Sequence, residues 1–298
     1  MNRRSPVRHL VVALLSFSLT ACMGQAVRPE PPVVKPARVA VVLGAGASKG
    51  FAHIGVLKIL EGSGVPIHLV VGTSAGSFVG SLYATGRGAF ELQKIALAIQ
   101  KGDVADFAMP DNGFIKGEKL EEYVNKALDN TPLEKLKIPF YPVATDIQSG
   151  KEVVFTKGNA GTAVRSSCSI PGVFRPVKIG DRTYVDGGVV SPVAVDAARR
   201  QGADVVIAVD ISGDVDGPAP TGTIETILQA INIMYSKIAA AQLVRADVVI
   251  RPLVGSIGAA DFEKRHEAIM EGEKATMAAM PRIRALLERL RREGRLAP

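Results

Sequence analysis

The sequence is poor in the residues that build metal centres and disulfide frameworks. Its 298 residues include two cysteines, four histidines and no tryptophan. Two cysteines exclude a disulfide-rich scaffold. Cys168 has no histidine partner nearby in sequence, which favours a small buried residue over a nucleophile. The histidines lack any recognisable metal-ligand spacing, so we predict no metal site. They are His9, His53, His68 and His266.

A basic surface of the kind that binds nucleic acid is also missing. The formal net charge is +7, but three of these charges lie in the first 21 residues and four in the last 18, so residues 22–280 are formally neutral. This distribution excludes a nucleic-acid binder. The C-terminal arginines indicate a solvated helix face or, as the less favoured alternative, a contact with anionic lipid headgroups. They are Arg282, Arg284, Arg289, Arg291, Arg292 and Arg295.

The N-terminus has the pattern of a secretory signal peptide. Three arginines precede an apolar run over residues 10–19, which is too short to span a membrane. The run ends in Leu19-Thr20-Ala21-Cys22. This ending resembles the lipobox of bacterial lipoproteins, which implies that Cys22 is lipid-modified and begins the mature chain. The alternative is an ordinary signal peptide with a chance cysteine. Met23 in place of aspartate implies, by the sorting rule of such lipoproteins, a periplasm-facing anchor in the outer membrane.

The rest of the chain divides by composition. Residues 1–21 are the predicted lipoprotein signal peptide, and residues 22–37, with four prolines, are a predicted extended tether after the lipidated cysteine. Residues 38–252 are long enough for one large domain with a substantial core. Residues 253–298 are predicted to be a helical extension that packs on the domain or trails it.

Apolar runs alternate with helical patterns along this domain. Strands are predicted at 39–43, 67–71, 140–145, 153–156, 182–185, 205–209 and 248–250, and helices at 51–62, 75–85, 91–100, 118–128 and 160–167. Such alternation predicts an α/β fold in which helices cover a mostly parallel sheet. Residues 102–116 and 213–220 are predicted loops. A charged helix is expected from Phe262, with an interruption at Pro281.

One further helix carries an apolar stripe. We interpret the stripe as core rather than as the wall of an acyl-chain site. Its members are Ile224, Ile227, Leu228, Ile231, Met234, Tyr235 and Ile238.

A serine lies at the centre of a G-x-S-x-G pattern. Gly72-Thr73-Ser74-Ala75-Gly76 follows a predicted strand and precedes a predicted helix. This context is typical of a nucleophile elbow, in which a sharp turn exposes the serine hydroxyl and the glycines Gly72 and Gly76 avoid a collision. The pattern predicts that Ser74 is a nucleophile, with an ordinary Gly/Ser turn as the alternative.

A glycine-containing loop precedes the elbow by one strand-helix-strand unit. Residues 44–50 read Gly-Ala-Gly-Ala-Ser-Lys-Gly and join the first strand to the first helix. The loop lacks the third glycine of a dinucleotide-binding fingerprint, and its lysine is not at the position that a P-loop requires. A right-handed crossover would bring it to the same sheet edge as Ser74, where its N–H groups could form an oxyanion hole.

A base must still take the proton of Ser74. The only histidine after Ser74 in the sequence is His266, which lies in a charged stretch typical of a solvent-exposed helix. Asp186 is the best candidate, since it ends a predicted strand and is followed by two glycines that permit close backbone approach. Apolar neighbours would raise the pKa of Asp186 and make it a better base. Asp146, Asp196 and Asp210 are competing acids.

Four motifs together resemble the patatin-like phospholipases. They are residues 43–57, residues 72–76, Ser-Ile-Pro-Gly-Val-Phe at 169–174 and Asp-Gly-Gly at 186–188. The resemblance implies a three-layer α/β/α fold, a catalytic dyad of Ser74 and Asp186, and hydrolysis of lipid acyl esters without a metal or cofactor. It also implies an oxyanion hole formed by Ala45, Gly46 and Ala47. Lys49 matches the basic residue of the family loop, which implies a role in structural support or in attraction of a lipid headgroup.

The match departs from the family at Ala45 and Ala47, two positions that are commonly glycine. An alanine that needs a positive φ would be strained. Two alternatives therefore stay open beside a membrane-anchored hydrolase. One is a lipid-binding or scaffolding lipoprotein with little activity, and the other is an acyltransferase with the same dyad.

Overall fold

A computed structural model describes residues 35–107, 113–213 and 219–297. The predicted signal peptide, Cys22 and most of the predicted tether lie outside these residues, so their assignments stay predictions. Residues from Pro36 onward form one compact unit.

Among the described residues, eight strands form one mixed sheet. They are β1 Val39–Leu43, β2 Leu69–Thr73, β3 Phe140–Asp146, β4 Lys151–Val154, β5 Val177–Ile179, β6 Arg182–Asp186, β7 Val205–Val209 and β8 Val248–Ile250. The order is β5-β6-β3-β2-β1-β7-β8, and β4 also pairs with β3. From β3 to β8 the neighbours in this order run parallel, whereas β4, β5 and β6 pair antiparallel. The predicted parallel sheet is thus extended by an antiparallel edge.

One antiparallel pair of this edge, β5 with β6, follows from a short turn. Only two residues separate β5 from β6, and the first of them, Gly180, has a φ of 60°. A two-residue connection can join only antiparallel strands, and a positive φ at its first position suits such a hairpin. Strand β5 is not among the predicted strands, because three residues are too few to show a period.

Nine helices lie among the described residues. They are α1 Phe51–Gly62, α2 Ala75–Ala84, α3 Ala89–Ala98, α4 Lys101–Val104, α5 Glu118–Ala127, α6 Ala160–Ser167, α7 Val195–Arg200, α8 Thr223–Leu243 and α9 Arg265–Arg292. Most bounds agree with the predictions, and β2, β4 and α3 are each displaced by two residues. The described part contains no helix long and apolar enough to cross a membrane.

The sheet is covered on both faces, as the predicted three-layer fold requires. Along β1, Val39, Val41 and Leu43 pack into one core with α1, α2, α3 and α9. The alternate residues Ala40 and Val42 pack into a second core with α7 and α8. Because successive strand side chains point to opposite faces, a strand buried on both sides is apolar throughout.

Helix α9 belongs to the core and is not interrupted at Pro281. A Cβ at Gly272 would lie 2.0 Å from Ala52 O, and one at Gly55 would lie 1.9 Å from Ile269 O, so α9 and α1 touch along their backbones. The predicted interruption is wrong: the helix runs through Pro281. Proline inside a helix costs about 3 kcal/mol, which burial of the flanking Met280, Ile283, Leu287 and Leu290 offsets.

The predicted loop at 102–116 is partly structured. Helix α4 occupies its start, and Ile115 bridges to both Phe107 and Phe174. Asp106 accepts hydrogen bonds from the N–H groups of Gly117 and Glu118 at 2.6 and 2.9 Å, which satisfies the start of α5. Residues 108–112 and 214–218, within the two predicted loops, lie outside the described residues.

Candidate active site

Ser74 occupies a sharp turn between β2 and α2. Its backbone has φ 53° and ψ −123°, a conformation that a residue with a side chain adopts at a cost of about 1–3 kcal/mol. The flanking glycines are sterically required. A Cβ at Gly72 would lie 2.6 Å from Gly76 O, and one at Gly76 would lie 2.0 Å from Leu43 O. The turn therefore has the geometry of a nucleophile elbow.

The end of α6 holds this strained turn in place. Ser74 N donates to Ser167 Oγ at 2.9 Å, and Ser167 Oγ in turn donates to Val143 O at 2.5 Å. Cys168 Sγ donates to Ser74 O at 3.2 Å. Cys168 is buried, and burial raises the pKa of its thiol, so it is the small buried residue that the sequence indicates. The anchoring role of Ser167 was not visible in the sequence.

Asp186 ends β6 and is fully buried. Its Oδ1 accepts a 2.7 Å hydrogen bond from Gly188 N, whereas its Oδ2 is buried without a normal hydrogen bond to any described residue. A Cβ at Gly187 would lie 2.2 Å from Val143 O, so the glycine that follows lets the turn pass close to β3. One carboxylate oxygen is thereby fixed, and the other is open to a proton donor.

Burial raises the pKa of Asp186 to about 6. The hydroxyl of Ser74, the N–H of Gly188 and the hydroxyl of Tyr235 oppose this rise by interacting with the charged form. Although Ser74 is near enough to affect this pKa, the Oδ2 atom has no hydrogen bond of normal length. Such contacts are commonly long before substrate binds. A carboxylate with a pKa near neutrality is suited to general base chemistry.

Each of the competing acids forms an ion pair. Asp146 pairs with Arg182 at 3.2 Å, Asp196 with Arg245 at 2.6 Å and Asp210 with Arg251 at 3.4 Å. No ion pair to Asp186 is found among the described residues. His266 is exposed on α9 and lines neither of the cavities described below.

The glycine-containing loop presents only part of its backbone. Gly44 N donates to Val209 O at 3.0 Å, and Ala45 N donates to Pro192 O at 2.9 Å. The N–H of Ala45 is therefore not available to an oxyanion, which corrects its predicted role. The N–H groups of Gly46 and Ala47 make no hydrogen bond to a described residue, and both residues line a cavity with Ser74. They are the remaining candidate donors.

Ala47 has the backbone conformation for which glycine is the usual residue. Its φ is 48°, whereas Ala45 does not have a positive φ. The strain expected of an alanine in this loop therefore falls on Ala47 alone, at about 1–2 kcal/mol. The 3-10 turn Ala47–Gly50 begins at this residue, so the strain is located where the loop turns toward α1.

Hydrogen bonds from the side chains of His53 and Lys49 support the glycine-containing loop. Burial lowers the pKa of His53 to about 4, so its ring is neutral, and Nε2 donates to Gly44 O at 2.8 Å. Lys49 is 6 % exposed, and its Nζ donates to Ser212 O at 3.0 Å. Burial lowers the pKa of Lys49, and the charge of Asp210 opposes this effect. These contacts favour structural support as the role of Lys49.

Ser74 lies where two cavities meet. A large cavity of about 1250 Å³ is lined by Ser74, Gly46, Lys49, Asp210, Tyr235 and Arg251, among others. A second, apolar cavity of about 220 Å³ is lined by Ser74, Ile54, Phe78, Leu92, Ile95 and Val104, among others. The Ser74 side chain is thus accessible to a ligand that extends from the large, partly polar cavity into the apolar one.

The apolar stripe on α8 is not the core that the sequence predicts. Leu228, Ile231 and Tyr235 line the large cavity, and Met234 is 52 % exposed. Helical spacing cannot distinguish a cavity wall from a packed core, since both need an apolar face. The side chain of Ile224 lies outside the described part of the chain. No group of three or more metal-binding side chains occurs among the residues that are described.

Fold and site together define an α/β protein with an elbow serine beside a buried aspartate. The family model of the patatin-like phospholipases matches residues 41–199, more than half of the chain. The chain belongs to the patatin-like phospholipase family, as its motifs indicate.

Curated relatives span both bacteria and eukaryotes. An uncharacterised NTE family protein of Mycobacterium tuberculosis is 35 % identical over 61 % of this chain and 51 % of its own length. Human patatin-like phospholipase domain-containing protein 6 is 36 % identical over 58 % of this chain and 13 % of its own. Lysophospholipase NTE1 of Coccidioides immitis is 28 % identical over 87 % of this chain and 18 % of its own. The chain thus spans about half, or much less, of the relatives it matches.

A solved structure has the same fold. The crystal structure of VipD from Legionella pneumophila matches 83 % of this chain and 67 % of its own length, with a TM-score of 0.53 at 14 % identity. This likeness confirms the predicted fold class, a central sheet flanked by helices.

Proposed function

We propose that the protein is a lipid acyl hydrolase with Ser74 as nucleophile and Asp186 as general base. The observation that carries the proposal is the position of Ser74, held on a strained elbow at the junction of two cavities beside a buried carboxylate. Family membership supports the same reaction class. The name of the Coccidioides relative, a lysophospholipase, supports a lipid substrate.

The proposed reaction has two stages, acylation of Ser74 and hydrolysis of the acyl-enzyme. Ser74 Oγ attacks the ester carbonyl carbon while its proton passes to Asp186 Oδ2, and the Gly46 and Ala47 N–H groups stabilise the resulting oxyanion. The intermediate collapses to an acyl-enzyme, and the leaving alcohol takes the proton from Asp186. Water then attacks the acyl group and gives a proton to Asp186. As the second tetrahedral intermediate collapses, Asp186 returns this proton to Ser74 Oγ and the fatty acid leaves. Each oxyanion donor is worth about 3 kcal/mol in such reactions.

The two cavities suggest how a lipid would be oriented. The apolar cavity suits the acyl chain, since each buried CH₂ contributes about 0.8 kcal/mol. The large cavity, with Lys49, Asp210 and Arg251 in its lining, suits the polar alcohol portion of the lipid. An ester placed between them would have its carbonyl at Ser74.

Filling the apolar cavity should change the preference for chain length. Ile95→Trp on α3 adds bulk to the lining, so long-chain esters should lose about tenfold or more in kcat/KM while acetyl esters change little. Ala98→Trp, at an exposed position of the same helix, is the matched control. The two variants are compared on a series of p-nitrophenyl esters. Equal losses for short and long chains in Ile95→Trp would count against an acyl site in this cavity.

A direct test of the function uses vesicles of phosphatidylcholine and lysophosphatidylcholine. We expect the wild-type protein to release free fatty acid, measured by mass spectrometry, and Ser74→Ala to release none above background. Addition of an acceptor alcohol separates a hydrolase from an acyltransferase, because only the latter would form mainly a new ester. Lipid binding without release of fatty acid by the wild type would favour the scaffolding alternative instead.

We further propose that Cys22 is lipidated and anchors the protein to the periplasmic face of an outer membrane. The support is the signal-peptide pattern and the residues around Cys22. Attachment would raise the effective concentration of lipid substrate at the active site. Metabolic labelling with a fatty-acid probe should mark the wild type and not Cys22→Ala, with labelled protein in the outer-membrane fraction. Equal labelling of both proteins would refute the assignment.

A further inference from the structure

Tyr235 on α8 is buried, although the two residues before it are exposed. It is 6 % exposed, whereas its neighbours Ile233 and Met234 are 40 % and 52 % exposed. Its ring lies directly over the turn that follows Asp186, because a Cβ at Gly188 would lie 2.3 Å from the ring and 2.7 Å from the hydroxyl oxygen. The contact requires glycine at position 188 and fixes the phenol against the candidate base.

The Tyr235 hydroxyl has no hydrogen-bond partner among the described residues, and neither has Asp186 Oδ2. Leaving a buried polar atom unpaired is costly. The Tyr235 hydroxyl can donate a hydrogen bond, and Asp186 Oδ2 can accept one. Both side chains contact the turn at Gly188. The two atoms complement each other chemically.

We propose that Tyr235 is a positioning residue of the dyad, whose hydroxyl donates a hydrogen bond to Asp186 Oδ2 and aims the carboxylate at Ser74. This inference rests on the proposed function and adds a third member to the arrangement. Oδ1 is already held by Gly188 N, so a donor at Oδ2 fixes the remaining rotation of the carboxylate. An oxygen accepts two hydrogen bonds, which leaves room for the Ser74 hydroxyl.

The electrostatics of the site agree with a donor role. Burial, followed by the charge of Asp186, raises the pKa of Tyr235 well above its usual value, so the phenol stays protonated. The Tyr235 hydroxyl in turn lowers the pKa of Asp186, against the larger effect of burial. Among the described residues, the thiol of Cys168, which directly follows α6, is the other titratable group that the charge of Asp186 affects, and burial raises its pKa so that it stays neutral. The ionised form of Asp186 therefore depends on hydroxyl and N–H donors.

The test is the pH dependence of kcat/KM on a soluble short-chain ester. In the wild type, activity should rise with pH through the pKa of Asp186, about 6, because the base must be ionised. Tyr235→Phe removes only the hydroxyl and keeps the ring on Gly188. Its acidic limb should move up by about one pH unit, with kcat lowered several-fold and KM little changed. Tyr141→Phe, on β3 and outside the lining of both cavities, is the matched control.

Two further results separate the possible failures. The rate of Ser74 labelling by a fluorophosphonate, measured over the same pH range, should show the same displacement in Tyr235→Phe. Coincident acidic limbs of wild type and Tyr235→Phe, or a Tyr235→Phe protein that no longer folds, would overturn the positioning role. If Ser74→Ala hydrolysed the ester as fast as the wild type, the proposed function itself would fail. An inactive Ser74→Ala with an unchanged Tyr235→Phe profile would remove only this inference.

Discussion

Replacing Asp186 with asparagine should lower kcat for ester hydrolysis by about 10³-fold or more while making the protein more stable at pH 8. Asparagine keeps the shape of the side chain and an acceptor for Gly188 N, but it cannot take the proton of Ser74. Loss of a general base typically costs 10²–10⁴-fold. The activity loss should persist at every pH, since no ionisation restores the base.

The expected gain in stability comes from removing a buried negative charge. The pKa of Asp186 is about 6 in the folded protein, above its ordinary value of 3.8, so the folded state holds its proton to higher pH than the unfolded state. The stabilisation that Asp186 contributes by holding its proton is fully present below its ordinary pKa, and it is lost as the pH rises through about 6. Above that pH the buried charge costs on the order of 3 kcal/mol, which Asp186→Asn would recover.

Thermal unfolding at pH 4 and pH 8, with activity assays on the same samples, checks both halves. We expect the Tm advantage of Asp186→Asn to be larger at pH 8. Asp196→Asn is the matched control, because Asp196 is half exposed in an ion pair with Arg245. It should leave activity unchanged. An active Asp186→Asn protein would contradict the assigned base, and an equal Tm difference at both pH values would contradict the raised pKa.

Gly76→Ala should destabilise the fold by about 3 kcal/mol or more and abolish activity. Its Cβ would lie 2.0 Å from Leu43 O and 2.8 Å from Gly44 O, both backbone atoms that cannot move independently. Either β1 or α2 must shift, and the glycine-containing loop would move with β1. Forcing extra atoms into a packed interior typically costs 1–3 kcal/mol even where side chains can adjust.

Gly62→Ala provides a control with the same chemical change. Gly62 ends α1, and a Cβ there meets no atom within 4 Å. Alanine in a helix is favoured over glycine by about 0.5–1 kcal/mol, so this variant should be slightly more stable than the wild type. Urea unfolding of the two variants gives the comparison. A Gly76→Ala protein with wild-type stability and activity would show that the elbow is not packed as described.

The sequence predicted the elements that depend on local pattern. The strand before Gly72, the turn at Ser74 and the helix after it are determined by a short apolar run followed by glycines, and all three have the predicted order. Asp186 likewise ends a strand and precedes a close backbone contact, as its two glycines indicate. The family followed from the order of four such local motifs.

Other features depend on contacts between distant residues. The N–H of Ala45 is taken by Pro192 O, far along the chain, so the sequence could not distinguish it from Gly46 and Ala47 as a donor. Helix α9 passes through Pro281 because its flanks are buried against the domain. Tyr235 resembled a core residue because helical spacing shows which face is apolar but not what that face contacts.

The most direct measurement of the central claim is covalent labelling of Ser74. The folded wild-type protein is treated with a fluorophosphonate, and the site and stoichiometry of the adduct are determined by peptide mass spectrometry. We predict one adduct per chain, located on Ser74, with no adduct on Ser74→Ala and much slower labelling of Asp186→Asn. A folded wild-type protein that hydrolyses esters without labelling at Ser74, or a Ser74→Ala protein that labels equally fast elsewhere, would contradict the account.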